Sequence, residues 1–142
     1  MADQKPEAKD AAEQLAGLRY LQQLYANQYN AVTQLINDNL QAIAEINGAQ
    51  KSLENSGVIS GKKSLISAGA EVYFDATVSK VDNVVVGIGG GYLAEKPVDD
   101  AKQYLNRKAE RQTALINKLS KDRKDLENAM LEVAQKIEAL TR

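Results

Sequence analysis

Cysteine and histidine are both absent from the sequence, and aromatic residues make up only 5% of it. Without these two side chains the common nucleophile–base pairs of catalysis are unavailable, and no disulfide can form. Large aromatic side chains supply much of the buried area of a compact core, so their scarcity favours helix seams over a thick globular core. We therefore expect a protein that is not an enzyme and that binds no cofactor and no metal ion.

An excess of one charge is absent as well, because 18 basic and 19 acidic residues give a net charge of −1. A nucleic-acid-binding protein usually carries a basic excess, since neutralising phosphates supplies most of its affinity. No apolar run approaches the roughly 20 residues that cross a bilayer. Residues 1–10 are polar and lack an apolar secretory segment, which predicts a disordered tail. We expect a cytoplasmic protein with no nucleic-acid partner and no membrane partner.

Residues 11–55 contain no proline, and their apolar residues recur at alternating spacings of three and four. This heptad pattern predicts an N-terminal coiled-coil helix. A second apolar row beside the seam makes the apolar face wider than a two-stranded seam needs. The predicted seam consists of Leu18, Leu21, Tyr25, Gln28, Val32, Leu35, Asn39, Ala42, Ile46, Ala49 and Leu53. The flanking row consists of Leu15, Tyr29, Ile36 and Ile43.

Residues 97–142 contain no glycine and predict a C-terminal coiled-coil helix of similar length. Pro97 suits its first turn, and Asp99 and Asp100 are favourable near the positive end of the helix dipole. Helices of ~40 residues, ~60 Å long, need a partner along their length, so we expect them to pair antiparallel within the chain. The predicted seam consists of Leu105, Ala109, Gln112, Ile116, Leu119, Arg123, Leu126, Met130, Val133, Ile137 and Leu140.

Two polar seam residues, Asn39 and Arg123, have two interpretations. They specify the register or the partner, or they mark places where the seam opens to water. We favour the second interpretation. Neighbouring carboxylates, Asp99 with Asp100 and Asp122 with Asp125, are interpreted as solvated charge on helix surfaces, because no predicted pocket would perturb them.

Residues 56–96 break the helical pattern. EVYFDATV at 71–78 alternates between apolar and polar residues, and VVVGIG at 84–89 is rich in β-branched residues. With turns at 67–69, 79–83 and 89–91, the segment predicts two β-hairpins. The glycines at 87–91 lack the spacing of a nucleotide-binding loop and fit a hairpin turn.

Four short strands bury little area and leave their edges unpaired, so we expect other chains to complete the sheet. The segment 56–96 is therefore predicted to mediate oligomerisation. The predicted oligomerisation residues are Val72, Phe74, Val78, Val84, Val86 and Ile88.

The helix ends carry more apolar side chains than one seam uses, and antiparallel pairing brings the two ends together away from the β segment. One interpretation is packing that resists fraying. The other is an adaptable patch that binds non-native chains without a sequence code. The candidate residues for binding unfolded protein at these tips are Leu15, Leu18, Leu21, Leu24, Tyr25, Met130, Leu131, Val133, Ile137 and Leu140.

The order of helix, two hairpins and helix, with VDNVVVGIGGGYLAEKPVDDAKQYL at 81–105, resembles the α-type subunit of archaeal prefoldin. The Val/Ile run, the glycine turn, the short strand with an acidic residue and the acidic helix start match residues 84–89, 90–91, 92–95 and 99–105. Residues 65–70, LISAGA, lack the proline that family members often carry there. This departure is compatible with a divergent or filament-forming paralogue.

The resemblance implies a mainly α fold, a long antiparallel two-helix coiled coil whose two central β-hairpins assemble into an intersubunit β-barrel. It implies a complex of two α-type and four β-type prefoldin subunits. It also implies an ATP-independent chaperone that captures unfolded client proteins and passes them to a group II chaperonin. The alternative is a structural coiled coil or a filament-forming, prefoldin-like protein.

Overall fold

The computed structural model describes residues 4–142, and most of them are helical. One long helix precedes the β segment in the sequence, and another follows it. The elements are α1 Gln4–Glu54, α2 Ser56–Ile59, β1 Lys63–Gly69, β2 Val72–Thr77, β3 Asn83–Gly89, β4 Tyr92–Pro97 and α3 Val98–Thr141. Strands β1 and β2 form one antiparallel hairpin, and β3 and β4 form another. The predicted mainly α fold with two central hairpins is confirmed, and the intersubunit barrel stays a prediction.

Two element boundaries differ from the sequence-based expectation. Helix α1 begins at Gln4, so the expected disordered tail is helical from that residue on, and residues 1–3 lie outside the described residues. Pro97 ends β4 instead of lying in the first turn of α3, while Asp99 and Asp100 do lie in that turn. In residues 4–142 no helix combines the length and the hydropathy of a membrane span.

The chain divides into two compact units. Unit 1 contains Met1–Leu40 and Ala114–Arg142, and unit 2 contains Gln41–Thr113. Each unit therefore includes a part of α1 and a part of α3, and unit 2 also contains both hairpins.

Helices α1 and α3 pack against each other in antiparallel orientation. In unit 1, residues 14–21 line a groove with residues 136–140, and residues 28–32 line another with residues 122–126. Residue numbers thus rise along α1 as they fall along α3. The hydroxyl of Tyr29 donates a hydrogen bond to the Glu127 carboxylate at 3.3 Å in the same unit. Within unit 2, the Gln50 side-chain amide donates to the Asn106 side-chain oxygen.

The seam of α3 follows the predicted heptad. Every predicted position from Leu105 to Ile137 is buried or half-buried, and Leu140 is exposed. The charged residues between the seam positions lie mostly at the surface, as an amphipathic helix requires.

The seam of α1 differs from the prediction in one of its two rows. The row from Leu18 through Val32 to Leu53 is half-buried or buried, as predicted. The second buried row is the one predicted to flank the seam, which contains Ile36, and not the predicted seam row that contains Leu35. Ile36 is only 4% exposed, whereas Leu35 is 49% exposed. Apolar content alone cannot separate these adjacent rows, and the packing against α3 selects the row of larger side chains. Predicted seam residues that are exposed are Gln28, Leu35 and Ala49.

The polar seam residue Asn39 satisfies its side chain within its own helix. Its amide nitrogen donates to the backbone carbonyl of Leu35 at 2.7 Å. A side chain bonded to the preceding turn makes no demand on a partner helix, so this contact favours the interpretation in which Asn39 does not specify register.

The two hairpins turn with the same backbone geometry. In the first, Gly69, Ala70 and Glu71 have φ values of 94°, 50° and 63°, and in the second the glycines at 89–91 have values of 108°, 61° and 80°. The first turn therefore lies at 70–71 and not at 67–69. Gly69 instead lies at the irregularity in strand pairing that ends β1, which is the position of a glycine bulge.

Candidate functional site

Potential metal ligands do not gather into a site in the part of the chain that the structure describes. No group of three or more acidic residues there is arranged to hold a metal ion. The glycine run at 87–91 lies at the end of the β3–β4 hairpin, in agreement with the predicted turn. The candidate sites are instead two apolar surfaces, one in each unit.

Unit 1 contains an open groove between α1 and α3 near the ends of both helices. Its volume is about 530 Å³. A β-carbon at Gly17 would meet no described atom within 4 Å, so the missing side chain leaves space beside the leucines. We call this surface the end groove. Its lining residues are Gln14, Gly17, Leu18, Leu21, Lys136, Ala139 and Leu140.

The predicted tip residues divide into three groups in the structure. Leu18, Leu21 and Leu140 line the end groove. Leu24 and Leu131 are exposed on the helix surfaces, with 61% of Leu131 accessible. The others belong to the seam: Val133 is buried, and Leu15, Tyr25, Met130 and Ile137 are half-buried. The ten residues predicted to bind unfolded protein at the tips therefore include both residues packed in the seam and residues exposed at the surface.

Sequence reasoning missed several residues at these helix ends. Gly17 and Ala139 are the two small residues of the end groove, and Lys136 also lines it. Tyr20 is among the most exposed large side chains of unit 1. The signal for Gly17 was present, because a glycine inside a long helix costs stability and needs a packing or functional reason.

In unit 2 the β3–β4 hairpin packs one face on the helices and exposes the other. Val84 and Val86 line a pocket of about 580 Å³ with Leu53, Ala101 and Leu105. The Tyr104 hydroxyl donates to the backbone carbonyl of Gly87 at 3.3 Å, and the Lys96 ammonium lies 5.6 Å from the Tyr104 ring centre. These contacts hold the hairpin against α3.

The opposite face of the β3–β4 hairpin exposes two large apolar side chains beside Glu95. Val85 is 66% exposed and Leu93 is 72% exposed. Val84 and Val86, predicted to mediate oligomerisation, are half-buried beside the chain's own helices, whereas Val85 borders the same pocket but is mostly exposed. Side chains alternate between the two faces of a strand, so the face of one residue determines the face of every other. A run of three valines does not reveal which of the two faces is buried.

The β1–β2 hairpin exposes a directly opposed apolar pair, Ile66 and Phe74. Of the predicted oligomerisation residues, Val72, Phe74 and Ile88 are exposed, and Val78 is half-buried. We call the exposed apolar residues of both hairpins the hairpin surface. Its members are Leu65, Ile66, Val72, Tyr73, Phe74, Val85, Ile88, Tyr92 and Leu93.

A β segment with this many exposed large apolar side chains is a candidate protein-interaction site. Together with two long antiparallel helices, it defines the chain as a two-helix coiled-coil protein with a β-hairpin connector. The family model for Prefoldin subunit matches residues 18–142. Because this match covers most of the chain, the chain belongs to the prefoldin subunit family.

Similar proteins agree with the family match. Prefoldin subunit alpha of Methanocorpusculum labreanum is 29% identical over 123 residues, which are 83% of this chain and 84% of the relative. Prefoldin subunit alpha of Pyrococcus horikoshii is 28% identical over 112 residues, or 75% of this chain and 76% of the relative. Both relatives are named as the α subunit, which agrees with the two hairpins of this chain.

A solved structure supports the fold as well. The filamentous PFD from Methanocaldococcus jannaschii, determined by cryo-EM, aligns with a TM-score of 0.55 and 28% identity. The alignment covers 84% of this chain and 93% of that chain. The predicted resemblance to α-type prefoldin is confirmed, and membership of the family makes this chain a chaperone subunit that is not an enzyme.

Proposed function

We propose that this chain is a subunit of an ATP-independent holdase that captures unfolded polypeptide at the ends of its coiled coil. The observation that carries the proposal is the end groove, which is open and lined mainly by aliphatic side chains and by two small residues. Such a surface gains free energy by burying apolar groups of many shapes, because the hydrophobic effect has no directional requirement. Captured clients then pass to a group II chaperonin.

The partners proposed for this subunit are β-type prefoldin subunits, four of them with two α-type chains. The hairpin surface supports this proposal, since Val85 and Leu93 are solvent-exposed in the single chain. Strand edges at both hairpins also lack a further strand in the described chain. Joining the hairpins of several subunits into a β-barrel would cover the apolar side chains and pair the edges.

Suppression of the aggregation of a denatured client protein tests capture at the end groove. The double variant Leu21→Ser and Leu140→Ser removes two of the groove's leucines. We expect it to suppress aggregation much less than the unchanged chain at equal concentration, when each is assembled with β-type partners. Light scattering of the diluted client measures this suppression.

The matched control is the double variant Leu40→Ser and Leu115→Ser. It replaces one leucine of α1 and one of α3, both of them exposed, and neither lines the end groove. We expect the control to suppress aggregation normally. Equal suppression by both variants would contradict capture at the end groove, provided that circular dichroism shows both to be folded.

Self-assembly into a filament is the second candidate function. The observation that favours it is the likeness to the filamentous PFD of Methanocaldococcus jannaschii. The missing proline at 65–70 is compatible with it too. In the proposed filament, the hairpin surface joins identical chains, and the assembly is open-ended.

Measurement of mass separates the two assemblies. Multi-angle light scattering of the chain alone, and then with a β-type subunit, gives the mass of each complex. The heteromeric proposal predicts one defined hexamer with the partner and no polymer without it. Open-ended polymers of the chain alone would support the filament and contradict the hexamer.

A further inference from the structure

A second groove lies in unit 1, and it differs from the end groove in charge. Its volume is about 460 Å³. Half-buried Val32 and Leu126 provide an apolar floor, and two carboxylates line the groove beside them. We call this surface the acidic groove. Its lining residues are Gln28, Ala31, Val32, Asp122, Asp125 and Leu126.

Both grooves of unit 1 lie on the same side of the helix pair. Leu21 of the end groove and Gln28 of the acidic groove are one heptad apart on α1. Lys136 and Asp122 are two heptads apart on α3. Residues at the same heptad position share one side of a coiled coil. The separation along α3 is about 21 Å at 1.5 Å per residue, which about six or seven extended residues would span.

The carboxylates of the acidic groove form no ion pair in the described part of the chain, although Lys118 and Lys121 lie one helical turn before Asp122 and Asp125. Across residues 7–142 the ion pairs are Lys80 with Asp82, Lys124 with Glu127 and Arg142 with Glu138. Asp122 and Asp125 are exposed and belong to none of these pairs. The sequence suggested only solvated charge for them, but here they lie beside an apolar floor.

We propose that the acidic groove selects unfolded client segments in which an aliphatic residue is adjacent to lysine or arginine. The aliphatic side chain would bury apolar area on Val32 and Leu126, and the cation would pair with Asp122 and Asp125. This inference rests on the proposed holdase function, and it adds the chemical class of segment that unit 1 binds best. The end groove contacts the same segment about six or seven residues away.

Peptide binding by the full-length chain tests the proposal. Three fluorescein-labelled peptides share the same leucines and serines, and the residues beside the leucines are arginine, glutamine or glutamate. Fluorescence anisotropy at low salt gives the dissociation constants. We expect the arginine peptide to bind roughly three- to tenfold more tightly than the glutamine peptide, as expected for exposed ion pairs. Added salt should reduce this preference.

Three double variants assign the preference to the groove. Replacement of Asp122 and Asp125 by asparagine should abolish the preference for arginine and leave binding of the glutamine peptide unchanged. Replacement of both by lysine should produce a preference for the glutamate peptide. The control, Asp99→Asn with Asp100→Asn, makes the same charge change at the start of α3 and should retain the preference for arginine.

The possible outcomes separate this inference from the proposed function. Equal binding of the arginine and glutamine peptides by the unchanged chain would overturn the selectivity and leave the holdase function standing. Failure to bind the glutamine peptide at all would contradict both. A change in the mass of the chain when Asp122 and Asp125 become asparagine would identify the groove as a contact between subunits, and this would also overturn the inference.

Discussion

Ile36 and Leu35 are neighbours of similar size, and the packing of α1 gives them opposite surroundings. Ile36 is buried in the seam, while about half of Leu35 remains in contact with solvent. One step along a helix rotates the side chain by about 100°, so only one of the two can face α3. The stability contributed by each residue should follow this difference in burial.

We predict that Ile36→Ala lowers the free energy of unfolding by about 2–4 kcal/mol, since it leaves a cavity in the seam. Leu35→Ala should cost about 1 kcal/mol or less, because less apolar area is lost from a half-exposed position. Urea unfolding at one fixed protein concentration measures both values, since association would otherwise shift apparent stability. An equal or larger cost for Leu35→Ala would contradict the seam described here.

The sequence identified the seam of α3 but not the second row of α1. On α3, charged residues lie on both sides of the apolar rows. Of the seven ways to place the heptad on this helix, only one buries few charged residues. On α1, Leu35 and Ile36 belong to adjacent rows that are both apolar enough to form a seam. The choice between them depends on how the facing helix packs, which a single-helix pattern does not contain.

At the scale of elements, the two hairpin turns use the same backbone with different residues. In the β3–β4 hairpin the residues with positive φ at 90–91 are glycines, which adopt it without steric cost. In the β1–β2 hairpin, Ala70 and Glu71 adopt the same region. An L-residue there is strained by roughly 1–2 kcal/mol because its β-carbon approaches the backbone.

The double replacement Ala70→Asn and Glu71→Gly should therefore stabilise the chain by about 1 kcal/mol, since Asn-Gly is the preferred pair in this type of turn. The matched change in the other hairpin, Gly90→Ala with Gly91→Ala, should destabilise it by a similar or larger amount. Thermal unfolding of the three chains at equal concentration checks the two opposite signs. A loss of stability in the Asn-Gly variant would contradict the strain assigned to this turn.

Both hairpins were predicted from alternation and turn residues, but the face that each exposes was not. Phe74 lies within an alternating segment and is solvent-exposed in the single chain, and its role in oligomerisation stays a prediction. Val84, Val85 and Val86 form a run without alternation, so the outward position of Val85 depends on which side the helices cover. That information comes from the contact of β3 with Leu53 and Leu105.

At the scale of the whole molecule, many of the exposed large apolar side chains lie in the two hairpins. The hairpin surface alone places Val85 and Leu93 in solvent, although each would gain free energy on burial. Such a surface favours association of subunits, while the end groove has the chemistry of a reversible binding site. The two surfaces therefore suit the two proposed activities of a chaperone subunit: assembly and capture.

The variant Val85→Lys should reduce the assembly, because moving a charged side chain into an intersubunit contact costs desolvation that the cross-strand Glu95 only partly offsets. Its control is Leu40→Lys, which places the same charge on an exposed residue of α1 outside the hairpin surface. Sedimentation velocity with β-type partners should show small complexes for the first variant and full-sized complexes for the second. Normal assembly of the Val85→Lys variant would exclude Val85 from the subunit contact.

Photo-crosslinking tests the central claim, capture at the ends of the coiled coil, most directly. A photoreactive phenylalanine analogue replaces Tyr20, Leu131 or Leu40 in separate chains, and each assembled complex is illuminated with a denatured client. All three positions are exposed in the single chain, so a large difference in adduct yield reports contact with the client. We expect covalent client adducts from positions 20 and 131 and few from position 40. Adducts from position 40 alone, or equally from all three, would contradict it.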